Sequence, residues 1–186
     1  PGTYKNVKDT SAVAMFSAVK DDASKKLFEV SGGKEVFFLA WTTTPWTLPS
    51  NLGLAVGPSI DYVMVETFNP YTHLRVHVIL AKPLLNSFFK PEAKDLDLGG
   101  YDPASKTIPW KLVSEFKGKD LEGLRYEQLL PFEANNLEAI REITPGADPF
   151  KVVAGDFVTT EDGTGIVHMA PAFGADDYRM GKKFNL

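Results

Sequence analysis

The sequence predicts a mixed α/β fold dominated by strands, with a β-barrel core and short peripheral helices. Short runs rich in Val, Ile, Phe and Thr recur along the chain and are separated by turn residues. Few segments have the length and periodicity of helices. The 186 residues, 44% of them hydrophobic, suit one domain with one core. Many short strands with few helices favour a closed or nearly closed barrel.

The first half of the chain consists mainly of predicted strands. Gly32 and Gly33 lie between two apolar runs and predict a hairpin, because a primed turn needs positive φ. Pro45 and Pro49 exclude a central strand there and disfavour a helix interior. The predicted strands cover residues 13–19, 27–30, 35–39, 52–56, 62–67 and 73–80.

The second half mixes short helices with strands. Residues 90–111 are rich in Asp, Lys, Gly and Pro, so we expect a surface insertion within a single domain spanning 1–186. A helix is predicted to begin near Asp176, because acids favour the first turn and lysines the last. Other helical turns are predicted at 83–90, 121–130 and 137–143, and strands at 150–154, 156–160 and 166–170.

Charge and composition exclude several classes of function. The net charge of −4 disfavours a protein that coats duplex nucleic acid, which needs a basic face, but it allows a single-stranded end in a pocket. The absence of cysteine excludes disulfides, cysteine zinc sites and a thiol nucleophile. No apolar run reaches the roughly 18–20 residues that cross a bilayer. The first residues lack an initiator Met and a signal peptide, which suggests an excised fragment or a processed chain.

Several small motifs resemble reactive sites only in part. His73 and His77 have the spacing of a helical zinc pair, but they fall in a predicted strand without a third ligand, so we expect a solvated or rim face. Asp95 and Asp97 lack the other ligands of a calcium loop, and we expect a solvated loop. No metal site is predicted. A Ser-His-Asp triad would need a serine beside one of the histidines, which the sequence leaves open.

Two segments are unusual. The segment Trp41-Thr-Thr-Thr-Pro-Trp-Thr-Leu-Pro-Ser-Asn51 places four threonine hydroxyls within six residues. By itself it would be explained as a strand edge entering a turn, with threonines present for their strand propensity. The segment from Gly163 to Tyr178 places His168 at a predicted strand end, with Asp176 and Asp177 at a predicted helix start. By itself it would be explained as a core histidine and helix-terminal acids.

Together the two segments resemble the walls of the connective-peptide 1 editing domain of isoleucyl-tRNA synthetases, which are class I synthetases. Valyl and leucyl enzymes carry Arg-Pro-Glu or Arg-Pro-Asp after their threonines, whereas this chain has Thr44-Pro45-Trp46. The resemblance runs from about Val13 to Tyr178, except in the loop at 90–111. Phe173 stands where some branches carry His, so it is not expected to be a ligand. The chain lacks the His-Ile-Gly-His and Lys-Met-Ser-Lys-Ser signatures of the synthetic domain, so it resembles the inserted editing domain alone.

The resemblance implies hydrolytic proofreading. A synthetic pocket sized for isoleucine discriminates poorly against valine, and this pair of amino acids is the usual illustration of how little one methylene contributes. A second, smaller pocket would deacylate valyl-tRNA(Ile) and exclude isoleucine by size, with valyl-adenylate as a second substrate. Direct attack by an oriented water is the expected mechanism, because an aminoacyl ester is already reactive. His168 and a substrate hydroxyl are the alternatives for taking the proton.

The resemblance also implies roles for individual residues. The expected catalytic residues are Thr43, His168 and Asp177, with Asp177 binding the substrate α-ammonium group and Asp176 as the weaker alternative. The apolar wall is expected from Trp46, the threonine methyl groups and the His168 ring. Asn51 either fixes the threonine loop or contacts the substrate. The expected substrate-binding set is Thr42, Thr44, Trp46, Thr47, Asn51, His168 and Asp177.

The remaining expectations concern cofactors, partners and location. Editing needs no cofactor and no metal, since ATP and Mg²⁺ serve the absent synthetic domain. The expected partners are the 3′ end of tRNA(Ile) carrying valine, valyl-adenylate and the rest of the synthetase in the same chain. A cytoplasmic monomer without membrane contact is expected. Two alternatives stay open: a non-catalytic β-barrel module that binds an adenosine-bearing ligand, and an unrelated serine hydrolase that uses His168.

Overall fold

The computed structural model describes residues 10–186. Its strands are β1 (Ala12–Ser17), β2 (Val36–Thr42), β3 (Gly53–Val56), β4 (Asp61–Phe68), β5 (Arg75–Ala81), β6 (Lys111–Lys117), β7 (Lys151–Ala154) and β8 (Ile166–Met169). Its α-helices are α1 (Lys25–Val30), α2 (Leu85–Phe88), α3 (Gly118–Leu121), α4 (Leu137–Ile143) and α5 (Ala175–Phe184). Short 3-10 helices occupy Pro45–Ser50, Lys82–Leu84, Pro91–Ala93 and Ala134–Asn136.

The strands form one mixed sheet that divides at β2. The hydrogen-bonded order is β6-β4-β5-β2-β8-β3-β7, and β1 pairs antiparallel with the other edge of β2. The start of β2, at Val36–Phe38, pairs in parallel with β5, whereas Trp41 near its end pairs with Val167 of β8. The sheet therefore has two branches: β5, β4 and β6 continue from the beginning of β2, and β8, β3 and β7 continue from its end.

An extended segment, residues 124–127, follows a turn at Gly123 and closes the second branch into a ring. Bridges join Tyr126 to Ala18, just beyond β1, and Arg125 to Lys151 of β7. Backbone hydrogen bonds of 2.8–3.1 Å connect the segment to both neighbours. β1, β2, β8, β3, β7 and this segment thus enclose a small barrel. The predicted fold class, β-dominated with a barrel core and short helices, is confirmed.

Both faces of the sheet are covered. The barrel interior is filled by large buried side chains, including Phe16, Phe38, Leu54, Tyr126, Phe150 and Ile166. The loop at 90–111 lies over the outer face of β4 and β5, where Ala93 and Trp110 are buried against Val65 and Val78. α5 covers the outer face of β3, β7 and β8. Within residues 10–186 no helix is long and apolar enough to cross a membrane.

The predicted hairpin around Gly32 and Gly33 is wrong, because residues 25–30 form helix α1. The two glycines end that helix instead of turning a hairpin. Gly33 N donates to Phe28 O at 2.7 Å and Gly32 N donates to Glu29 O at 3.1 Å, with positive φ at both glycines. This pair of bonds is the Schellman motif that terminates helices. Glycines with positive φ occur both in hairpin turns and at helix ends, so the sequence pattern alone did not distinguish the two structures.

Three other sequence expectations differ from the structure. The helical turns predicted at 121–130 are largely absent, because residues 124–127 are extended between β1 and β7 and tertiary pairing overrides the local pattern. The strand predicted at 156–160 is a turn in which Val158 N donates to Gly155 O. The proline-containing segment forms a 3-10 helix, Pro45–Ser50, with Pro49 inside it. Its short length makes the missing amide hydrogen tolerable.

The two histidines predicted to share a strand face are separated by the structure. His73 lies in the turn before β5 with φ of 58°, and its Nδ1 lies 3.0 Å from the Tyr101 hydroxyl. His77 lies within β5 and is 3% exposed, so the solvated or rim face expected for it is wrong. Its Nε2 lies 3.6 Å from Glu66 Oε1. Among residues 10–186 no group of three acidic or histidine side chains is arranged to hold a metal.

Candidate functional site

A cleft of about 430 Å³ opens where β2 and β8 end and the 3-10 helix and α5 begin. Both unusual segments of the sequence contribute to its wall. The residues that line it are Trp41, Thr42, Thr43, Thr44, Trp46, Thr47, Val167, His168, Ala170, Phe173, Gly174 and Asp177. The parallel contact between β2 and β8 places the two segments side by side.

The threonines form a connected set of hydroxyls along one wall. Thr42 Oγ1 accepts the backbone amide of Thr44 at 3.0 Å, and the Thr42 and Thr44 hydroxyls lie 3.3 Å apart. Thr47 Oγ1 lies 3.4 Å from Thr44 Oγ1 and donates to the Thr44 carbonyl at 2.8 Å. Thr42 and Thr47 are buried, whereas Thr43 and Thr44 are exposed to the cleft. The turn therefore buries the hydroxyls of Thr42 and Thr47 and leaves those of Thr43 and Thr44 accessible from the cleft.

His168 forms the floor beneath this wall, and both of its ring nitrogens are occupied. Nε2 lies 3.0 Å from Thr47 Oγ1, and Nδ1 lies 2.8 Å from Asn51 Nδ2. Asn51 Nδ2 also donates to the Gly53 carbonyl at 2.9 Å, and a carbonyl can only accept. The amide nitrogen therefore faces the ring, so Nδ1 of His168 accepts and the ring proton lies on Nε2, where it is donated to Thr47.

Burial favours the neutral form of this imidazole. Removal from water lowers the pKa of His168, and the carboxylate of Asp177 opposes that shift in part. A neutral ring with Nδ1 accepting from Asn51 and Nε2 donating to Thr47 has no free lone pair in this geometry. Such a histidine can shape the cleft and direct a hydroxyl, but it is poorly arranged to take a proton from water.

Asn51 is fully buried and is not part of the cleft wall. It lies behind His168, so direct contact with a ligand, one of the two roles expected from the sequence, is not what this geometry provides. Its Oδ1 accepts the Tyr126 hydroxyl at 2.6 Å, and its backbone carbonyl lies 3.4 Å from Gln128 Nε2. The structure thus places Asn51 as the support of the histidine.

Asp177 supplies the single carboxylate among the residues that line the cleft. It lies in the first turn of α5, where a negative charge is favourable. Its Oδ2 accepts the backbone amide of Ala170 at 2.8 Å, which fixes the carboxylate against the end of β8. Asp176, the weaker sequence candidate, is 76% exposed and pairs with Arg179 outside the cleft. The two adjacent acids therefore have different surroundings.

Two aromatic side chains stand at the rim. Trp46 is 61% exposed and Phe173 is 63% exposed, and both line the opening. Trp46 comes from the 3-10 helix and Phe173 from the turn before α5. They offer flat apolar surface on opposite segments of the rim, which suits contact with a ring or a short aliphatic group.

Most residues predicted from sequence lie together at this cleft. Asn51 lies behind it, and no serine lines it within residues 10–186, so the cleft offers no nucleophile for the serine-hydrolase alternative. Sequence reasoning missed Val167 and Ala170, which alternation along β8 could have indicated. It also missed Tyr126 and Gln128, whose contact with Asn51 depends on the barrel closure and has no local signal.

Comparison with known proteins identifies relatives by sequence and by fold. Isoleucine–tRNA ligase of Cytophaga hutchinsonii is 55% identical over 182 residues, and that of Porphyromonas gingivalis is 50% identical over 184 residues, in each case over 98% of this chain. The chain spans about 15% of the length of these relatives. No family model matches it.

Solved structures share the fold at low identity. The CP1 structure of GlLeuRS has a TM-score of 0.64 at 17% identity, with 94% of this chain and 59% of that chain covered. The editing domain of P. knowlesi cytosolic leucyl-tRNA synthetase has a TM-score of 0.63 at 16% identity, with 95% and 64% covered. At this identity the likeness concerns the fold alone.

Proposed function

Because this chain is similar in sequence to one segment of isoleucyl-tRNA synthetases and in fold to the CP1 editing domains of leucyl enzymes, we propose that it is a hydrolytic editing domain. Its reaction is the hydrolysis of an aminoacyl ester on the terminal ribose of tRNA. The proposed substrate is valyl-tRNA(Ile), with valyl-adenylate as a second substrate. Isoleucine is excluded because it is one methylene larger.

The observation that carries this proposal is the composition of the cleft wall. One carboxylate, Asp177, faces a wall of threonine hydroxyls above a neutral histidine. An α-amino ester needs one anion for its ammonium group and hydroxyls for its carbonyl and ribose. A branched aliphatic side chain needs a short apolar wall, which Trp46, Val167 and the threonine methyl groups supply.

The proposed mechanism is direct attack by water. The water oxygen bonds to the ester carbonyl carbon, the bond to the ribose oxygen breaks, and valine and a free tRNA end are released. The exposed hydroxyls of Thr43 and Thr44 orient the water and the carbonyl, and Asp177 holds the ammonium group. Because His168 has no free lone pair, we assign the proton of the water to the neighbouring ribose hydroxyl of the substrate, which passes its own proton to the departing ribose oxygen. The role of His168 is to limit the size of the pocket.

The proposal includes the surroundings of the domain. The rest of the synthetase in the same chain holds the body of the tRNA, and only the single-stranded 3′ end enters the cleft, which agrees with the net charge of −4. The hydrolysis uses no cofactor, and ATP and Mg²⁺ serve the synthetic domain. The domain acts as part of a cytoplasmic synthetase and does not need a second copy.

The deciding experiment measures release of valine and isoleucine from the two charged forms of tRNA(Ile). The enzyme is an isoleucine–tRNA ligase containing this segment, and the 186-residue chain is assayed in parallel. We expect valine release by the ligase, little isoleucine release, and slow valine release by the chain alone. Absence of valine release by the ligase would contradict the proposal.

A second measurement separates catalysis from mere binding. Calorimetric titration of the chain with a non-hydrolysable valyl-adenosine analogue should show binding that competes with free substrate. Binding without any hydrolysis by the ligase would favour the non-catalytic adenosine-binding module. No detectable binding at millimolar analogue would mean that the cleft is incomplete in this chain.

A further inference from the structure

We propose that Tyr126 is a positioning residue that sets the tautomer of His168 by acting through Asn51. This inference deepens the proposed function and rests on it for its catalytic meaning. Tyr126 is fully buried, lies in the segment that closes the barrel and does not line the cleft. Its hydroxyl connects it to the site, because it donates to Asn51 Oδ1 at 2.6 Å.

The ring of Tyr126 is held so that its hydroxyl has one direction. Phe16 packs edge-to-face against it with ring centroids 5.3 Å apart, and Phe150 does the same at 6.4 Å. The backbone on both sides is paired with β1 and β7. Burial raises the pKa of Tyr126 well above its ordinary value, so the hydroxyl keeps its proton, and Asn51 Oδ1 is the acceptor that the structure gives that proton.

That fixed donor selects one orientation of the Asn51 amide. With Oδ1 on Tyr126, the nitrogen donates to the Gly53 carbonyl and to His168 Nδ1. In the flipped orientation two carbonyl oxygens would face each other at Gly53, and His168 Nδ1 would meet an acceptor. Loss of the Tyr126 hydroxyl leaves a buried oxygen without a partner and removes one of the two constraints against that flip.

The orientation of the Asn51 amide also affects the hydrogen bonds of the threonine wall, because His168 contacts Thr47. His168 must carry its proton on Nε2, so Thr47 Oγ1 accepts there and uses its own proton on the Thr44 carbonyl. The hydroxyl of Thr44 is then free to donate toward Thr42, Thr47 or the cleft. A buried phenol that does not line the cleft therefore determines the direction in which the Thr47 hydroxyl donates, and through it the partners left to Thr44.

The test uses the ¹⁵N chemical shifts of the His168 ring, which distinguish the two neutral tautomers. In the unmodified chain above pH 7.5 we expect a single species with the proton on Nε2. In Tyr126→Phe we expect the Nδ1-protonated form to appear alongside it. The matched control is Tyr62→Phe, because Tyr62 is also fully buried and its hydroxyl donates to Gly165 O at 2.6 Å instead of to Asn51. The control should keep one tautomer.

Kinetics supply the second readout. With valyl-tRNA(Ile) and the full ligase, Tyr126→Phe should lower kcat about tenfold. Its KM should stay within about twofold, because the substrate does not touch the phenol. Tyr62→Phe should leave both constants near those of the unmodified enzyme. Equal losses of kcat in both variants would show that lower stability causes the effect, and would overturn the proposal.

Two results would overturn the inference without any assay of activity. One is an Nδ1-protonated His168 in the unmodified chain, which needs no variant to fold. The other is an unchanged Nε2 tautomer in Asn51→Asp, where a carboxylate beside Nδ1 should draw the proton to that nitrogen. If the ligase fails to release valine while the tautomers respond as expected, the proposed function fails and the relay from Tyr126 to His168 stands.

Discussion

Thr47 and His168 are joined side chain to side chain, with Oγ1 and Nε2 3.0 Å apart, although 121 positions of sequence separate them. This contact connects the threonine wall to the floor of the cleft. The buried threonines, Thr42 and Thr47, build the wall, whereas the exposed ones, Thr43 and Thr44, face the open cleft.

Thr47→Val and Thr43→Val should therefore differ in how much they lower the free energy of unfolding. Thr47→Val removes a buried acceptor of His168 and a donor to Thr44, and should lower the free energy of unfolding by about 1–3 kcal/mol. Thr43→Val changes an exposed hydroxyl and should shift it by less than about 0.5 kcal/mol. Thr43→Val should still slow deacylation severalfold. Denaturant unfolding and valine release on the same samples check both, and equal destabilisation would contradict this division.

Asp177→Asn should abolish most editing while the domain stays folded. The amide keeps a hydrogen-bond acceptor for Ala170 N but removes the charge that binds an ammonium group. Loss of an ionic hydrogen bond of about 1.5–3 kcal/mol corresponds to a fall of roughly 10- to 150-fold in kcat/KM. The matched control is Asp176→Asn, which changes the adjacent exposed acid. Equal kcat/KM in the two variants would remove Asp177 from the site.

His168→Ala should change specificity as well as rate. The imidazole bounds the pocket, so its removal makes room for the extra methylene of isoleucine. We expect hydrolysis of isoleucyl-tRNA(Ile) to appear, while valyl-tRNA(Ile) hydrolysis falls or stays similar. The control is His77→Ala, which removes a buried histidine remote from the cleft. Rates are compared well below the melting transition of each variant. Proportional loss on valyl-tRNA with isoleucyl-tRNA untouched would assign exclusion to the threonine side.

Stability should decrease between neutral pH and about pH 5 because of two histidines. Burial lowers the pKa of both His168 and His77 in the folded chain. The unfolded chain, with imidazole pKa values near 6.5, therefore binds more protons in this range. The stabilisation is complete above that value and is lost as the pH falls through the folded pKa values. Asp177 opposes the shift of His168, and Glu66 opposes that of His77.

Melting temperatures from pH 8 to pH 5 test this dependence. His168→Gln and His77→Gln should each flatten the curve, because each removes one titrating group. The carboxyls with lowered pKa, Glu66 and Asp148, contribute only at more acidic pH. A curve that neither substitution flattens would show that other groups govern stability in this range.

Most residues that line the cleft could be predicted from the sequence. The buried residues behind them, such as Tyr126, could not. The threonine segment and the segment around His168 and Asp177 carry their chemistry in contiguous residues, so pattern and resemblance located them. The pairing of Tyr126 with Asn51 depends on residues 124–127 lying between β1 and β7, and nothing within that segment indicates an extended conformation. The local pattern favoured a helix there, and long-range backbone pairing decided the outcome.

The strands were predictable where apolar residues alternate or cluster, as in β4 and β5. The failures occurred where one residue type serves two structures. Glycine with positive φ both turns hairpins and ends helices, so Gly32 and Gly33 were compatible with either. The run around Val158 contains strand-forming residues, but the chain turns at Gly155 as soon as β7 ends.

The closure of the barrel has a consequence for biosynthesis. A ribosome adds about 5–20 residues per second, and more than 120 residues separate the end of β2 at Thr42 from β8 and α5, which with β2 enclose the cleft. Until β8 and α5 emerge, the threonine wall lacks the floor formed by His168, the carboxylate of Asp177 and the pairing of Trp41 with Val167. During that interval of several seconds the nascent chain exposes the edge of β2 and the apolar interior of an open half-barrel. We expect ribosome-associated chaperones to cover this surface, and premature termination before β8 to yield an aggregation-prone fragment.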